Sequence, residues 1–472
     1  MSMFEKLFHL KENGTNLRTE LLAGLTTFLT MAYIIFLQPA ILSGALYGTS
    51  TGMDFGAVMT GTCISAIIAT VIMALYARYP IALAPGMGEN FFFIFSAAPA
   101  AAAAGFANSW QVALGAVFIS GLLFMLLSAV GAREALINAV SPSMKNGIAV
   151  GIGLFIAFIG LQNARIIIPT PGTAVKLNPE FASPDVIVFL AGLVVTAALH
   201  ARRVKGSILW GILTTCALAV ILKSLLPHMP EFIAASKAVK ASLLMTHLAV
   251  AHHIFAAPPS IKPILFKMDL VHACSAAMFP FIIIFLFMAV FDTMGTLIGV
   301  AEQAGFMKNN QLPRASRALM ADAIGTAAGA CFGNSTVTCY IESAAGVEQG
   351  GRTGLAGLVV AGLFLGALFF SPIVKMVGSY APLTAPALII VGFMMIQNIR
   401  KIDWTDYSEA IPSFITAIGI PLAYSIADGL ALGFITYPFI KLISGKRKEL
   451  QWPMILISAA LLFYFILVRE RW

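Results

Sequence analysis

Residues 329–354 read GACFGNSTVTCYIESAAGVEQGGRTG, and on this stretch the fold class turns. Glycines, hydroxyl side chains and one carboxylate, Glu342, crowd into a span too short and too broken for an ordinary membrane helix, although apolar segments flank it on both sides. A bilayer interior tolerates ionisable groups and irregular backbone mainly where they line a cavity or a pathway. The stretch is therefore the first candidate site, and the rest of the chain has to supply its cavity.

Composition gives the setting. Of 472 residues, 59% are hydrophobic and 11% charged, with a mean hydropathy of +0.90, which excludes a soluble globular domain of ordinary composition. The chain reads as an all-α polytopic membrane protein whose partner is the lipid bilayer. Its formal net charge of +8 is dispersed through short connections, as the positive-inside rule requires, so no nucleic-acid partner is implied. Cys63, Cys216, Cys274, Cys331 and Cys339 lie in or beside apolar segments without metal-ligand spacing, and imply neither a metal nor a disulfide framework. The first residues lack the pattern of a secretory signal; Phe4, Leu7, Phe8 and Leu10 suit an amphipathic helix on the membrane surface.

Apolar segments able to span, or to span partway, lie near 20–43, 55–77, 82–98, 110–131, 145–163, 185–201 and 206–226. A second series lies near 271–302, 316–331, 335–348, 352–371, 380–398, 408–424 and 427–444. The third of each series, 82–98 and 335–348, is short and interrupted. GLQNAR (160–165) and MIQNIR (395–400) close corresponding segments, and GSILWGILT (206–214) resembles DGLALGFIT (428–436). Seven is odd, so a second copy enters from the opposite side: a 7+7 inverted repeat of about fourteen transmembrane segments, with broken third and tenth helices. The expected division is a cytoplasmic amphipathic segment (1–19), a first repeat (20–226), a long extracytoplasmic loop (227–270), a second repeat (271–444) and a tail with an extra apolar segment (445–472). Residues 452–468 form either a fifteenth span or an interfacial helix, and their length favours the latter. Lys145, Arg202, Arg203, Arg314, Arg400 and Lys446 fall inside if the N-terminus is cytoplasmic.

Discontinuous segments in matching positions of two inverted halves point to a midplane transport site. In the first half, Pro85, Gly86 and Gly88 can break the backbone, Glu89 and Asn90 supply polar side chains, and Phe91, Phe92 and Phe93 either stack on a planar ring or fill a kink. Asp292 lies deep in an apolar run without a lysine or arginine, so ligand bonding or proton exchange suits it. Gly295 and Gly299 make a G-x-x-x-G face for close helix contact. Glu342 is the third intramembrane acid, and an acidic side chain at such depth costs roughly 2.5–3.5 kcal/mol. Asp322 suits a role in helix packing, and Asp428 that of a cap for the helix that follows it. His252 and His253 lack further ligands for a metal.

The motifs LRTELLAGLTTFLTMAYI, ALAPGMG, FDTMGTL, STVTCYIESAAGV and GGRTGL occur in this order along nearly the whole chain. In them the chain resembles the nucleobase:cation symporter-2 family, specifically its AzgA-like branch of adenine, guanine and hypoxanthine permeases. The resemblance implies a core domain (segments one to four with eight to eleven) and a gate domain (five to seven with twelve to fourteen). It also implies short strands where segments three and ten break. It assigns substrate binding to Asn90 and Glu342 and matches Asp292 to the aspartate of the family's F-D-T motif. The chain departs from the family at Ala289, where an acid is usual, and at Glu89, where an apolar residue is usual; Glu89 is expected to take over part of the lost acid's role.

The expected activity is proton-coupled uptake of a purine nucleobase across the cell inner membrane. Asn90, Asp292, Glu342, Glu89 and Phe91 bind substrate, and Asp292 and Glu342 handle the proton. The rival is an anion or other small planar solute transporter of the same architecture. No cofactor and no enzyme chemistry are implied: there is no H-E-x-x-H, nor a nucleophile with its base. A homodimer is compatible with the sequence but not required by it.

Overall fold

The computed structural model describes residues 7–47, 50–129, 140–170, 174–230, 236–307, 312–452, 454–455, 458–459 and 461–462. Among them, nine helical runs are long and apolar enough to cross a membrane. Helix starts follow local capping chemistry. Asn16, Asp54, Ser141 and Ser183 each accept a hydrogen bond from the backbone N–H three residues on, and Pro142 and Pro184 open their helices.

The first half runs α1 (Leu17–Met31), α2 (Ile34–Leu42), α3 (Phe55–Ile72), β1 (Leu83–Pro85), α4 (Met87–Phe92) and α5 (Ser109–Ala129). It continues with α6 (Pro142–Asn163), the hairpin β2 (Ile167–Thr170) and β3 (Ala174–Leu177), α7 (Pro184–Ala201) and α8 (Ser207–Leu225). The second half carries α9 (Phe279–Ala304), α10 (Ala315–Cys331), β4 (Val337–Cys339), α11 (Ser343–Glu348) and α12 (Gly354–Ala367). It closes with α13 (Ala385–Ile396), α14 (Tyr407–Leu422) and α15 (Ile426–Ile443). Shorter helical turns between these are unlabelled. The β2–β3 hairpin is an addition to the all-α expectation.

The helices pack in two groups. α1 to α5 pack with α9 to α12, and α6 to α8 with α13 to α15. Small residues allow the closest approaches inside each group. A Cβ on Gly153 of α6 would stand 2.8 Å from the Gly392 carbonyl of α13, so these two backbones are in contact. Between the groups, a Cβ on Gly88 of α4 would stand 3.2 Å from Ile152 of α6.

β1 and β4 join the two halves of the sequence at the centre of the first group. They pair antiparallel, with Leu83 opposite Cys339, Ala84 opposite Thr338 and Pro85 opposite Val337. Gly86 N–H to Thr336 O (2.9 Å) and Tyr340 N–H to Ala82 O (3.0 Å) continue the ladder at either end. Each strand is also held by a threonine of the helix before it. Thr70 Oγ1 donates to Leu83 O (3.0 Å) and accepts from Leu83 N–H (2.9 Å); Thr326 Oγ1 donates to Val337 O (2.9 Å) and accepts from Val337 N–H (3.2 Å). The same clamp thus occurs at the first strand residue of both halves.

Several expectations change. Asp428 does not cap α15: Ser425 does, accepting from Asp428 N–H at 3.2 Å. Among the described residues, a Cβ added to Gly295 would meet nothing within 4 Å and one on Gly299 only Ile341, so the G-x-x-x-G face makes no close helix contact there. Phe8 and Leu10 are buried against Leu355 rather than lying free on a membrane surface, whereas residues 1–6 lie outside the described residues. Much of 452–468 also lies outside them. Glu20, unremarked in sequence, is fully buried on α1 and accepts from the N–H groups of Arg352 (2.8 Å), Thr353 (3.2 Å) and Ala356 (3.1 Å), a carboxylate neutralised by the start of α12.

The loop 227–270 is tied to both groups. Leu243 and Leu244 donate backbone N–H bonds to Asp185 of α7 (2.9 and 3.0 Å), whereas Thr60 of α3 donates to Pro259 O (2.9 Å) and Phe266 N–H to Cys331 O of α10 (2.8 Å). At the other end of the second group, buried Lys441 pairs with Glu409 (2.8 Å) and Glu449 (2.6 Å), and Lys446 with Asp406 (2.7 Å). Lys446 and then Ser408 hold the Asp406 carboxyl well below the usual carboxylate range, so this tie persists through neutral pH.

The threonine clamp can be tested. Thr326→Val keeps the volume and removes both bonds to Val337, and is expected to cost about 1–3 kcal/mol. Equilibrium unfolding of the detergent-purified chain measures this, with Thr405→Val, at an exposed site, as the near-neutral comparison.

Candidate functional site

The strand pair turns into two short helices. Gly86 stands at the N-cap of α4 and Glu342 at that of α11, and Glu89 lies in the first turn of α4. Two of the three acids therefore sit at helix starts, where exposed N–H groups and the helix dipole favour negative charge.

A cavity of about 1040 Å³ lies between the two helix groups. Its polar end is lined by Glu89, Asp292, Thr338, Tyr340 and Glu342, with Tyr33 from the break between α1 and α2. Asp292, on α9, is exposed to this space, with Thr338 of β4 beside it. Glu342 is half-buried and fixed: Tyr33 Oη donates to its Oε1 at 2.6 Å, and Thr30 Oγ1 lies 3.4 Å from its backbone carbonyl. Tyr340 Oη donates to Pro85 O at 2.6 Å, tying the wall of β4 to that of β1. Among the described residues, no lysine, arginine or histidine forms an ion pair with Glu89, Asp292 or Glu342. Gly295 and Gly299 also face the cavity, so they leave space for its contents rather than for a neighbouring helix.

Two expected binding residues lie elsewhere. Asn90 is fully buried and absent from the cavity lining. Its amide N–H donates to Gln38 Oε1 and its carbonyl accepts from Ser335 Oγ. Gln38 in turn donates to Asn334 (3.1 Å), and Asn334 also meets Thr62 (3.2 Å) and Ser65 (3.1 Å). Asn90 thus belongs to a polar network that fastens α4 to α2, α3 and the approach to β4. Phe91 has no exposed surface and packs against Phe95 and Phe155, at centroid distances of 6.1 and 6.2 Å. It fills the kink; the rings that do line the cavity include Phe287, Phe291 and Tyr340.

Sequence reading passed over Tyr33, which lines the cavity, and Gln38, which belongs to the Asn90 network. The lone amide in the apolar run IIFLQPAIL (34–42) was the available signal for Gln38. Asp322, read as a packing residue, is fully buried on α10, with the Thr293 hydroxyl and the backbone N–H and thiol of Cys339 as its polar neighbours.

A helical membrane protein with a central cavity walled by two short strand–helix units, and with acids at its polar end, is built as a transporter. Residues 18–432 match the Permease family. The chain belongs to that family, in its nucleobase:cation symporter-2, AzgA-like branch, and is a permease rather than an enzyme. It is 40% identical to the guanine/hypoxanthine permease PbuO of Bacillus subtilis, covering 97% of this chain and 99% of that one. It is 38% identical to the adenine permease AdeP of Escherichia coli (97% and 95% covered). Its fold is similar to the transmembrane domain of the cyanobacterial bicarbonate transporter BicA, with a TM-score of 0.60 at 16% identity over 89% of this chain and 97% of that one.

The placement of Asn90 makes a prediction. Asn90→Ala orphans Gln38 and Ser335 in a dry interior and is expected to destabilise the protein by about 2–4 kcal/mol. Phe91→Leu is expected to cost about 1–2 kcal/mol. Unfolding of the two purified variants checks the order.

Proposed function

We propose that the chain takes up purine nucleobases together with protons. The observation that carries this reading is the set of three carboxylates, Glu89, Asp292 and Glu342, on one cavity and without ion-pair partners among the described residues. Charge buried in this way is costly unless a proton or a ligand donor meets it. A neutral purine offers N–H donors to the carboxylates, ring nitrogens as acceptors for the tyrosine hydroxyls, and a planar face for the aromatic wall. The names of the relatives, permeases for guanine, hypoxanthine or adenine, support this substrate class. An anionic substrate, the rival reading, would meet Glu89, Asp292 and Glu342 of its own sign, although Lys145, Arg400 and Lys401 also line the cavity.

In this mechanism Asp292 and Glu342 exchange the proton, Tyr33 orients Glu342, and Glu89 adds an acceptor from the opposite wall. Asn90 acts through its network by holding α4 in position. A protonated carboxyl carries no charge through the closed state, and its deprotonation towards the less acidic side drives release. The two helix groups serve as core and gate, moving past each other around the fixed β1–β4 pair. The matched threonine clamps support the inverted relation of residues 20–226 and 271–444, with fourteen spans broken at the third and tenth. The basic Lys145, Arg400 and Lys446 support a cytoplasmic N-terminus in the cell inner membrane.

Uptake of labelled adenine, guanine, hypoxanthine, xanthine and uracil into cells lacking their own permeases tests the reading. Accumulation of at least one of the first three, abolished by a protonophore, is expected; no uptake of any base would overturn the substrate class, and protonophore-insensitive uptake the coupling. For that purine, Asp292→Asn and Glu342→Gln are expected to lower uptake at least tenfold, and Tyr33→Phe and Glu89→Gln to raise KM by about tenfold, with equal amounts in the membrane.

A further inference from the structure

The cavity is far larger than its polar end requires. Pockets for drug-sized ligands run ~300–1,000 Å³, and a nucleobase is smaller still, yet this one reaches about 1040 Å³. The excess is apolar. Phe287 and Ile284 of α9, Met394 of α13, Phe434 of α15 and Leu461 are among its lining residues. Such a space is a poor site for water. Its lining includes Phe279, Ile341 and Trp452, which are 55%, 45% and 71% exposed. Exposed apolar side chains of this size favour hydrocarbon or its interface over water, so the cavity suits an apolar occupant.

The gate group's share of the lining carries basic residues. Lys145 near the start of α6, and Arg400 and Lys401 just after α13, lie on two segments that touch, Asn146 Nδ2 being 3.5 Å from Lys401 O. Arg400 and Lys401 are exposed, and Lys145 is half-buried with its ammonium 5.0 Å from the centre of the Phe291 ring. Among the described lining residues, the carboxylates are Glu89, Asp292 and Glu342, all on the core group, whereas these three cations are on the gate group. A largely apolar cavity lined from one helix group by three cations matches a molecule with a long hydrocarbon chain and an anionic head.

We propose that this part of the cavity binds an anionic glycerophospholipid, its phosphate between Lys145, Arg400 and Lys401 and an acyl chain along Phe287, Met394, Phe434 and Leu461. The lipid wedges between the two helix groups, so its occupancy biases their movement. This inference rests on the membrane reading of the fold and is independent of which solute is carried.

Native mass spectrometry of the full-length purified chain, titrated with dioleoylphosphatidylglycerol or dioleoylphosphatidylcholine, tests it. Each basic residue near an anionic headgroup contributes roughly a fivefold factor, so at least about tenfold tighter binding of phosphatidylglycerol is expected. K145Q/R400Q/K401Q should abolish that preference, whereas R447Q/K448Q, which alters two exposed basic residues outside the cavity lining, should retain it. Equal binding of the two lipids, or equal loss in both variants, would overturn the site. Glycerol phosphate alone should not displace the lipid; if it does, the cations bind free phosphate and the lipid assignment fails. A phosphatidylglycerol with a photoreactive acyl chain gives a readout on the unaltered protein: labelling at Met394, Phe434 or Leu461 is expected, and labelling confined to other positions overturns the proposal.

Discussion

Everything around the cavity depends on the hydrogen bonds between two three-residue strands. Backbone that leaves a helix inside a membrane has no water to bond with, so each freed N–H and C=O must find a partner within the protein. Here the partners of β1 come from β4, more than two hundred residues away, and from one threonine hydroxyl; β4 is satisfied in the same way. Because neither strand is stable without the other, the two halves of the chain must associate before either interrupted segment can persist. The cavity is a consequence of that pairing.

The pairing also accounts for the chemistry. Where a strand ends and a short helix begins, several N–H groups point outward together, and an acidic side chain there is less costly than at a helix centre. Glu89 and Glu342 occupy such positions, and Asp292 faces them from a continuous helix whose Gly295 and Gly299 keep the space open. Tyr33 and Tyr340 then bind one acid and one strand carbonyl, which limits how far the wall can shift. The stability of the broken segments and the capacity to receive a polar solute thus come from one arrangement of backbone groups.

The site was partly legible in advance because intramembrane charge is rare. Asp292, Glu342 and Glu89 stood out by type and setting, and all three line the cavity. Asn90 and Phe91 were legible as unusual residues but not by the direction of their side chains. On a helix of six residues, adjacent positions such as Glu89 and Asn90 are rotated by about 100°, so one can face a cavity while the next faces the interior. The G-x-x-x-G pattern failed for a related reason: small residues permit close approach, but whether the space is filled by a helix or left open depends on what packs there.

From the sequence alone follow the membrane setting and the positions of the short polar stretches and the three acids, since each depends on local composition read against the cost of polar groups in hydrocarbon. The tertiary structure decided which broken segment pairs with which, that Asn90 belongs to a network with Gln38 and Ser335, and that Lys145, Arg400 and Lys401 share one cavity with the acids. Those are relations between residues far apart in the chain. Periodicity and composition describe each segment singly, whereas hydrogen-bond partners and cavity walls exist only once the segments are packed together.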